Sequence, residues 1–189
     1  MDCVFKTMSK AKEIRQQFRL LMNGVTAQSL REKGMDYHLN WGASLGHLRE
    51  LADEYGKDYD TATELWNDDV RESKIMATLL MPHDMLTRDM AMQWIGQTKT
   101  QEIAEVASMN LYQHLPYAAE LAMNLTADGD AMTQLHGYCI VARLLTKGWQ
   151  FSDTELQALA VRVEAVVNDA DAPLYLRHAA NNTLMKMEK

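Results

Sequence analysis

Apolar residues recur along this chain at the spacing of helix faces, in short segments separated by polar or glycine-containing breaks. The pattern is clearest in residues 61–81. Ala62, Leu65 and Trp66 fall at positions i, i+3 and i+4, which places them on one face of a helix. The segment that follows becomes apolar almost all round, as in a helix that is covered on several sides. We predict an antiparallel helix pair here, with the acidic corner at residues 68–69 capping the second helix.

Similar segments fill the rest of the chain, so the sequence predicts an all-α protein. Ser44 and Thr100 precede apolar stripes as N-caps, and Gly56 follows one as a helix end. Adjacent helix pairs span roughly 30–40 residues, which is the period of HEAT-like and armadillo-like repeats. We therefore expect an α-α superhelix of about five or six helix pairs, formed as a single domain over residues 1–189. The residues expected in its core are Leu65, Trp66, Ile75, Leu79, Leu80, Ile103, Leu111, Ile140, Val141, Leu144 and Leu145.

The composition agrees with this fold class. Only nine Gly and three Pro interrupt 189 residues that are rich in Met, Leu and Ala, which are helix formers. Cys3 and Cys139 are the two cysteines, and their wide separation argues against a disulfide framework and for a reducing, cytoplasmic compartment. We find no uninterrupted apolar stretch of membrane-spanning length and no signal-peptide pattern, so we expect no membrane association.

The net charge of −7 has the wrong sign for a typical nucleic-acid-binding protein, unless basic residues gather on one surface. They gather partly, because residues 1–33 carry seven Lys or Arg against three Asp or Glu. This segment is either a phosphate-binding face or, as charge runs more often are, an ordinary solvated helix face.

Side chains suited to metal or nucleophilic chemistry are scattered. None of the six His residues lies at i, i+4 from another His or a Cys, so we expect no metal site. Phosphate loops are absent too, and we expect no cofactor. Glu105 is a more promising group, since it borders the apolar stripe of residues 100–111. It can face a groove or remain a solvated boundary carboxylate, and the pattern alone leaves both open.

Several short features follow one another in a distinctive order. They are a basic first helix, then Trp41-Gly42, Leu65-Trp66, Arg71-Glu72 with the following Ile-Met-Ala-x-Leu-Leu, Trp94 and Asn110-Leu111-Tyr112. In this order and spacing they resemble the DNA alkylation repair family of HEAT-like-repeat proteins, the AlkD-like glycosylases, over about residues 8–186.

The resemblance implies a curved helical solenoid whose concave basic surface holds duplex DNA, and whose enzymes release N-alkylated, positively charged bases. Such enzymes use a Trp, an Asp four residues later, an Arg on a following repeat and a second Trp near the C-terminus. By position these fall on Gln101, Glu105, His136 and Asn181. A carboxylate is therefore kept, while both indoles that would attract a cationic base are replaced. We expect weak binding of duplex DNA with little or no base excision.

Two functions of different class remain open. One is a non-catalytic scaffold that holds a protein or peptide on its concave face, which is the commoner use of helical-repeat proteins. The other is a DNA-binding, glycosylase-like repair protein in which Glu105 is the catalytic carboxylate and Gln101, His136 and Asn181 share its surface. The cations expected to contact phosphates in that case are Lys6, Lys10, Lys12, Arg15, Arg19, Arg143 and Lys147.

Overall fold

The computed structural model describes residues 8–35 and 37–188, and within them the chain forms eleven α-helices and no β-strand. One isolated parallel bridge joins Leu39 and Val70. The predicted all-α fold is therefore confirmed. The helices are α1 (Lys10–Leu20), α2 (Gly24–Glu32), α3 (Leu45–Tyr55), α4 (Tyr59–Trp66), α5 (Arg71–Leu80), α6 (Arg88–Gly96), α7 (Gln101–Asn110), α8 (Ala118–Leu125), α9 (Ala131–Thr146), α10 (Asp153–Asn168) and α11 (Leu174–Met187), with a 3₁₀ turn at Tyr112–His114.

The chain divides into two compact units, unit 1 up to Pro82 and unit 2 from His83 onward. In unit 1, α5 packs against both α3 and α4, and α1 packs against α4. Ile14, Leu65 and Ile75 are fully buried there. In unit 2, α9 packs against α7, α8 and α11, so it is the central helix of that unit.

Glycine sets how closely α9 approaches its neighbours. A Cβ atom on Gly137 would lie 2.7 Å from the backbone nitrogen of Thr126, the residue that ends α8. Gly137 therefore allows the two backbones to come closer than any other residue would permit. On the other side, the Thr183 hydroxyl of α11 donates to the Tyr138 carbonyl at 3.2 Å, which ties α11 to the same helix.

A buried carboxylate organises the loop before α3. Glu72 is 0% exposed, and its two oxygens accept hydrogen bonds from the backbone N–H groups of Trp41 at 3.1 Å and Ala43 at 3.2 Å. Arg71 completes the clamp, because its Nη1 donates to Glu72 at 2.9 Å and to the Ala43 carbonyl at 2.8 Å. A buried charge bonded in this way avoids most of the desolvation cost of an unpaired one.

Gly42 lies between the two clamped residues at a φ of 73°. A Cβ atom there would come within 2.2 Å of the Asn23 carbonyl oxygen, so no other residue fits without moving the backbone. The Trp41-Gly42 and Arg71-Glu72 pairs noted in the sequence thus lie together in the structure, where hydrogen bonds to Glu72 hold the loop around Gly42.

The structure agrees with most of the predicted helix caps and core residues and corrects two points. Ser44 and Thr100 are N-caps, and Gly56 ends α3 at a φ of 71°, as predicted. The acidic corner at residues 68–69 does not cap α5, since Val70 occupies the N-cap position without a side-chain cap. Of the predicted core, Leu79 and Leu145 are only half-buried, and the other nine residues are buried.

Candidate nucleic-acid interface

Two basic residues of α1, in unit 1, are engaged by carboxylates. Lys10 forms an ion pair with Asp58 at 2.7 Å. Arg15 binds Glu64 at 2.8 Å and Asp68 at 2.7 Å, and the hydrogen bond that it donates to Asp68 raises the pKa of the guanidinium. Asp68 is therefore an ion-pair partner where the sequence predicted a helix cap.

The remaining cations of α1 differ from one another. The Arg19 guanidinium carbon lies 5.8 Å from the centroid of the Trp41 ring, within cation–π range. Lys12 is exposed and has no ion pair within the described ranges. Lys6, also expected at phosphates, lies outside the described residues. The positive charge of the first 33 residues is thus only partly available to DNA.

A groove in unit 2 gathers three of the predicted site residues. It has a volume of about 410 Å³ and is lined from α7 by Gln101 and Glu105 and from α9 by Arg143. We call it the Glu105 groove. The polar side chains that α11 adds to it are His178, Asn182 and Lys186.

Glu105 is held by its own helix. The Gln101 amide nitrogen donates to Glu105 Oε1 at 2.7 Å, one helical turn away. Cys139 also lines the groove, and burial together with the negative charge of Glu105 raises the pKa of the Cys139 thiol to about 12, against the opposing effect of Arg143. The thiol is therefore protonated at neutral pH and is a poor nucleophile.

Arg143 is the best-placed cation for an anionic ligand. Its side chain is half-buried, and its Nε is buried without a hydrogen-bond partner in the part of the chain that the structure describes. Because that Nε is closed off from solvent, an oxyanion in the groove would reach Arg143 through the accessible part of its half-buried side chain. No ion pair of Lys186 is found among the described residues either, so two cations and one carboxylate meet in this groove.

His136 does not reach the groove, which corrects its predicted role in DNA contact. It is 0% exposed, and burial lowers the pKa of its imidazole to about 3. The Tyr112 ring packs edge-on against it at 5.5 Å between centroids. Arg143 follows seven residues later on the same face of α9, and its half-buried side chain lines the groove.

Two other predicted residues lie apart from the groove. Asn181 is exposed on α11 but does not line it, whereas its neighbour Asn182 does. Lys147 lines a different groove of unit 2. Of the predicted set, the structure brings together Gln101, Glu105 and Arg143.

The α11 contribution to the groove was missed from the sequence. His178, Asn182 and Lys186 recur at every fourth position, which places all three on one face of a helix. This polar stripe was readable as a pattern, but nothing in it indicates which helix it faces.

Other kinds of site have no support within residues 8–35 and 37–188. No group of three or more His, Cys, Asp or Glu side chains there is placed to hold a metal ion. In the same ranges, none of the helices combines the length and the apolar character needed to cross a membrane.

Comparisons with known proteins agree with the helical architecture. A solved structure matches this chain with a TM-score of 0.83 at 17% sequence identity, covering 94% of this chain and 75% of that one. It is described as a new family of proteins related to the HEAT-like repeat DNA glycosylases, with affinity for branched DNA structures. The HEAT-like fold class is therefore confirmed. A search of curated proteins gave no match.

The family itself is shown by a second comparison. The model of the family described as DNA alkylation repair enzyme matches residues 14–187, which include every helix of unit 2 and most of unit 1. The resemblance noted in the sequence is confirmed, and this chain belongs to the DNA alkylation repair enzyme family.

Proposed function

We propose that this protein binds DNA through the Glu105 groove of unit 2 and has little or no base-excision activity. The observation that carries the proposal is Arg143, whose half-buried side chain lines this groove and has no ion pair among the described residues. Lys186 and His178 line the same groove. Cations set in a concave site are the usual means of binding a phosphate backbone.

The chemistry of the groove argues against efficient excision. An excision site needs a carboxylate free to stabilise positive charge on the sugar and an aromatic face for the cationic base. Here Glu105 accepts a hydrogen bond from Gln101, which stands where the resemblance places an indole. Tyr175 is the aromatic side chain that lines the groove, and a phenol is a weaker cation–π partner than an indole.

Support also comes from the structural neighbour, whose description includes affinity for branched DNA structures. We extend DNA binding to this chain as part of the proposal. Duplex and branched DNA are both candidate ligands, and the binding test includes both.

The test is a salt titration of DNA affinity. Fluorescence anisotropy with a labelled blunt duplex and a labelled four-way junction should show binding at low salt, with the logarithm of affinity falling linearly against the logarithm of salt concentration. Arg143→Ala should weaken binding by about tenfold, because charge-assisted hydrogen bonds contribute about 1.5 kcal/mol or more. Lys33→Ala, an exposed lysine of unit 1, is the matched control and should leave affinity unchanged.

Excision is tested separately. DNA carrying 3-methyladenine or 7-methylguanine, incubated with the protein, should release no base above the spontaneous rate. Robust release that disappears in Glu105→Gln would restore the enzyme function. Absence of binding to both DNAs at low salt would instead favour the protein-binding scaffold.

A further inference from the structure

A second groove of unit 2 has the composition of a ligand site and shares no lining residue with the Glu105 groove. Its volume is about 820 Å³. It is lined by the start of α8, the C-terminal end of α9 and the loop that follows, together with Arg88 of α6. We call it the Trp149 groove, after the aromatic residue at its edge.

The backbone holds Trp149 in a fixed position. Gly148 has a φ of 82°, its N–H donates to the Leu145 carbonyl at 2.9 Å, and the Trp149 N–H donates to the Leu144 carbonyl at 2.9 Å. These two bonds form a Schellman motif, in which only glycine adopts the left-handed conformation without cost. Trp149 is nevertheless 51% exposed, so its backbone is fixed while much of the surface of its indole is open.

A second flat surface lies in the same groove. The Arg88 guanidinium stacks 4.7 Å from the centroid of the Tyr117 ring, and the Tyr117 hydroxyl donates to the Leu86 carbonyl at 2.7 Å. Arg88 also binds the exposed Glu120 carboxylate at 2.6 Å, which largely balances its charge. Arg88 and Tyr117 are thus held as a pair against the groove wall.

The charge available to a ligand is positive. Lys147 is exposed, and no ion pair of its ammonium is found in the described part of the chain. Glu155, the other carboxylate lining the groove, already accepts hydrogen bonds from the Ser152 backbone and hydroxyl in a capping box. Among the described residues, no side chain caps α8, whose first turn lines the groove.

An open indole beside an unpaired ammonium suits a ligand that combines a flat ring with an anion. We propose that the Trp149 groove holds an unpaired nucleotide of bound DNA, with its base stacked on Trp149 and its phosphate near Lys147. A base inside a duplex has both faces covered by its neighbours, whereas an unpaired base offers a free face to an aromatic side chain. This inference rests on the proposed DNA binding and adds a preference for DNA with unpaired nucleotides.

Trp149→Ala tests the stacking. Two labelled DNAs are compared, a blunt duplex and the same duplex with a short thymidine overhang. The variant should lose about 5- to 30-fold in affinity for the overhang DNA, as expected for one lost base–aromatic stack, and keep its affinity for the blunt duplex. Val161→Ala, which changes a residue that is 69% exposed on α10, should bind both DNAs as the parent does.

Fluorescence gives a readout that does not depend on the stability of the alanine variant. Of the four tryptophans, Trp66 is 1% exposed and Trp94 2%, Trp41 is half-buried and does not line this groove, and Trp149 is 51% exposed. A thymidine oligonucleotide that stacks in the groove should therefore quench mainly Trp149. Trp149→Phe should abolish most of that quenching while keeping part of the affinity. For overhang DNA, Lys147→Gln should reduce the slope of log affinity against log salt concentration by about one, the value for one phosphate contact.

The outcomes separate the two proposals. Equal loss or no loss on both DNAs in Trp149→Ala overturns the nucleotide site, while a loss of duplex binding in Arg143→Ala still supports the Glu105 groove. Unchanged quenching in Trp149→Phe also overturns the nucleotide site. If the parent binds neither DNA, both proposals fail and a protein ligand becomes the better candidate for this groove.

Discussion

The two units differ in where their charged and polar groups find partners. In unit 1, Lys10 and Arg15 bind carboxylates, and the buried Glu72 accepts three hydrogen bonds. In unit 2, within the described residues, Arg143 has no ion pair and buried His136 has no hydrogen-bond partner for either ring nitrogen. In the segment where the sequence is most basic, the protein itself thus pairs Lys10 and Arg15 with carboxylates. Local charge density is therefore a poor guide to the charge that a ligand can use.

The same contrast assigns different roles to the two units. A satisfied buried charge such as Glu72 fixes backbone geometry and is costly to remove. A cation without an ion pair at a groove, such as Arg143, stays available to an anionic ligand. We expect substitutions at paired groups of unit 1 to change stability, and substitutions at unpaired groups of unit 2 to change binding.

The largest expected effect is on stability, in Glu72→Ala. Removing the carboxylate leaves the N–H groups of Trp41 and Ala43 without their acceptor in the interior and takes the counter-charge away from the buried Arg71. Breaking a buried pair in this way costs about 3–5 kcal/mol, which corresponds to a melting temperature lower by roughly 10 °C. Thermal unfolding followed by circular dichroism measures the shift.

Glu64→Ala is the matched control for Glu72→Ala. Glu64 pairs with Arg15 at the surface, where its side chain is 45% exposed, and surface ion pairs contribute about 1 kcal/mol or less. If the two alanine variants melted at the same temperature, the clamp around residues 41–43 would not have the importance that its geometry indicates.

The next effect is a pH dependence of stability that originates in unit 2. The pKa of His136 falls from its ordinary value of 6.5 to about 3 because burial disfavours the imidazolium, with only Asp130 opposing the shift. Between these values the unfolded chain binds a proton that the folded chain does not, so acidification destabilises the fold. The loss from this one group approaches about 1.4 kcal/mol per pH unit below pH 6.

His136→Leu should remove that contribution. Urea unfolding at pH 7 and at pH 5 should show a smaller loss of stability in the variant than in the parent, by about 1–2 kcal/mol. The variant should also be no less stable than the parent at pH 7, since leucine leaves no unbonded ring nitrogen. An identical pH dependence in both proteins would mean that His136 gains a proton within the folded state.

Helical periodicity explains which of these features could be predicted. It gave the helices and the caps at Ser44 and Thr100, whereas His136 was placed by the resemblance to the family. Periodicity fixes the direction of a side chain around its helix but not the depth of cover along it. The structure is needed to show that Tyr112 packs against a buried His136. It also shows that Arg143, two turns later, is only half-buried.

The hydrogen bonds of Glu72 to the loop before α3 could not be predicted from the sequence, for a different reason. Glu72 and Trp41 are separated by 31 positions, and a loop without helical period gives no indication of which backbone N–H groups it presents. From the sequence, Glu72 is therefore noted only as part of the Arg71-Glu72 pair. The ion pairs of Arg15 were hidden in the same way, since Asp68 lies 53 positions further on.

A smaller effect compares Arg15→Ala with Arg143→Ala directly. Arg15 is paired with Asp68 and Glu64, so its removal should lower stability by about 1 kcal/mol or less and change DNA affinity less than twofold. Arg143→Ala should do the reverse, with weaker DNA binding and little change in melting temperature. Anisotropy and thermal unfolding on the same preparations measure both quantities. A comparable loss of affinity in the two variants would show that unit 1 also contacts DNA.

The smallest expected effect is in Lys10→Ala. This lysine was predicted to contact phosphates, yet its ammonium lies 2.7 Å from Asp58, and that hydrogen bond raises the pKa of the lysine and lowers the pKa of the aspartate. A cation already beside a carboxylate gains little from a phosphate, because it would have to give up one anion to bind another. The pair is exposed, so it contributes little to stability as well. Lys10→Ala should therefore match the parent in melting temperature and in the salt dependence of DNA binding, whereas Lys186→Ala, at the Glu105 groove, should reduce that salt dependence by about one charge. If the two lysine variants had equal effects on the salt slope, the ion pairs of unit 1 would be open to exchange with DNA, and the distinction between paired and unpaired cations would no longer hold.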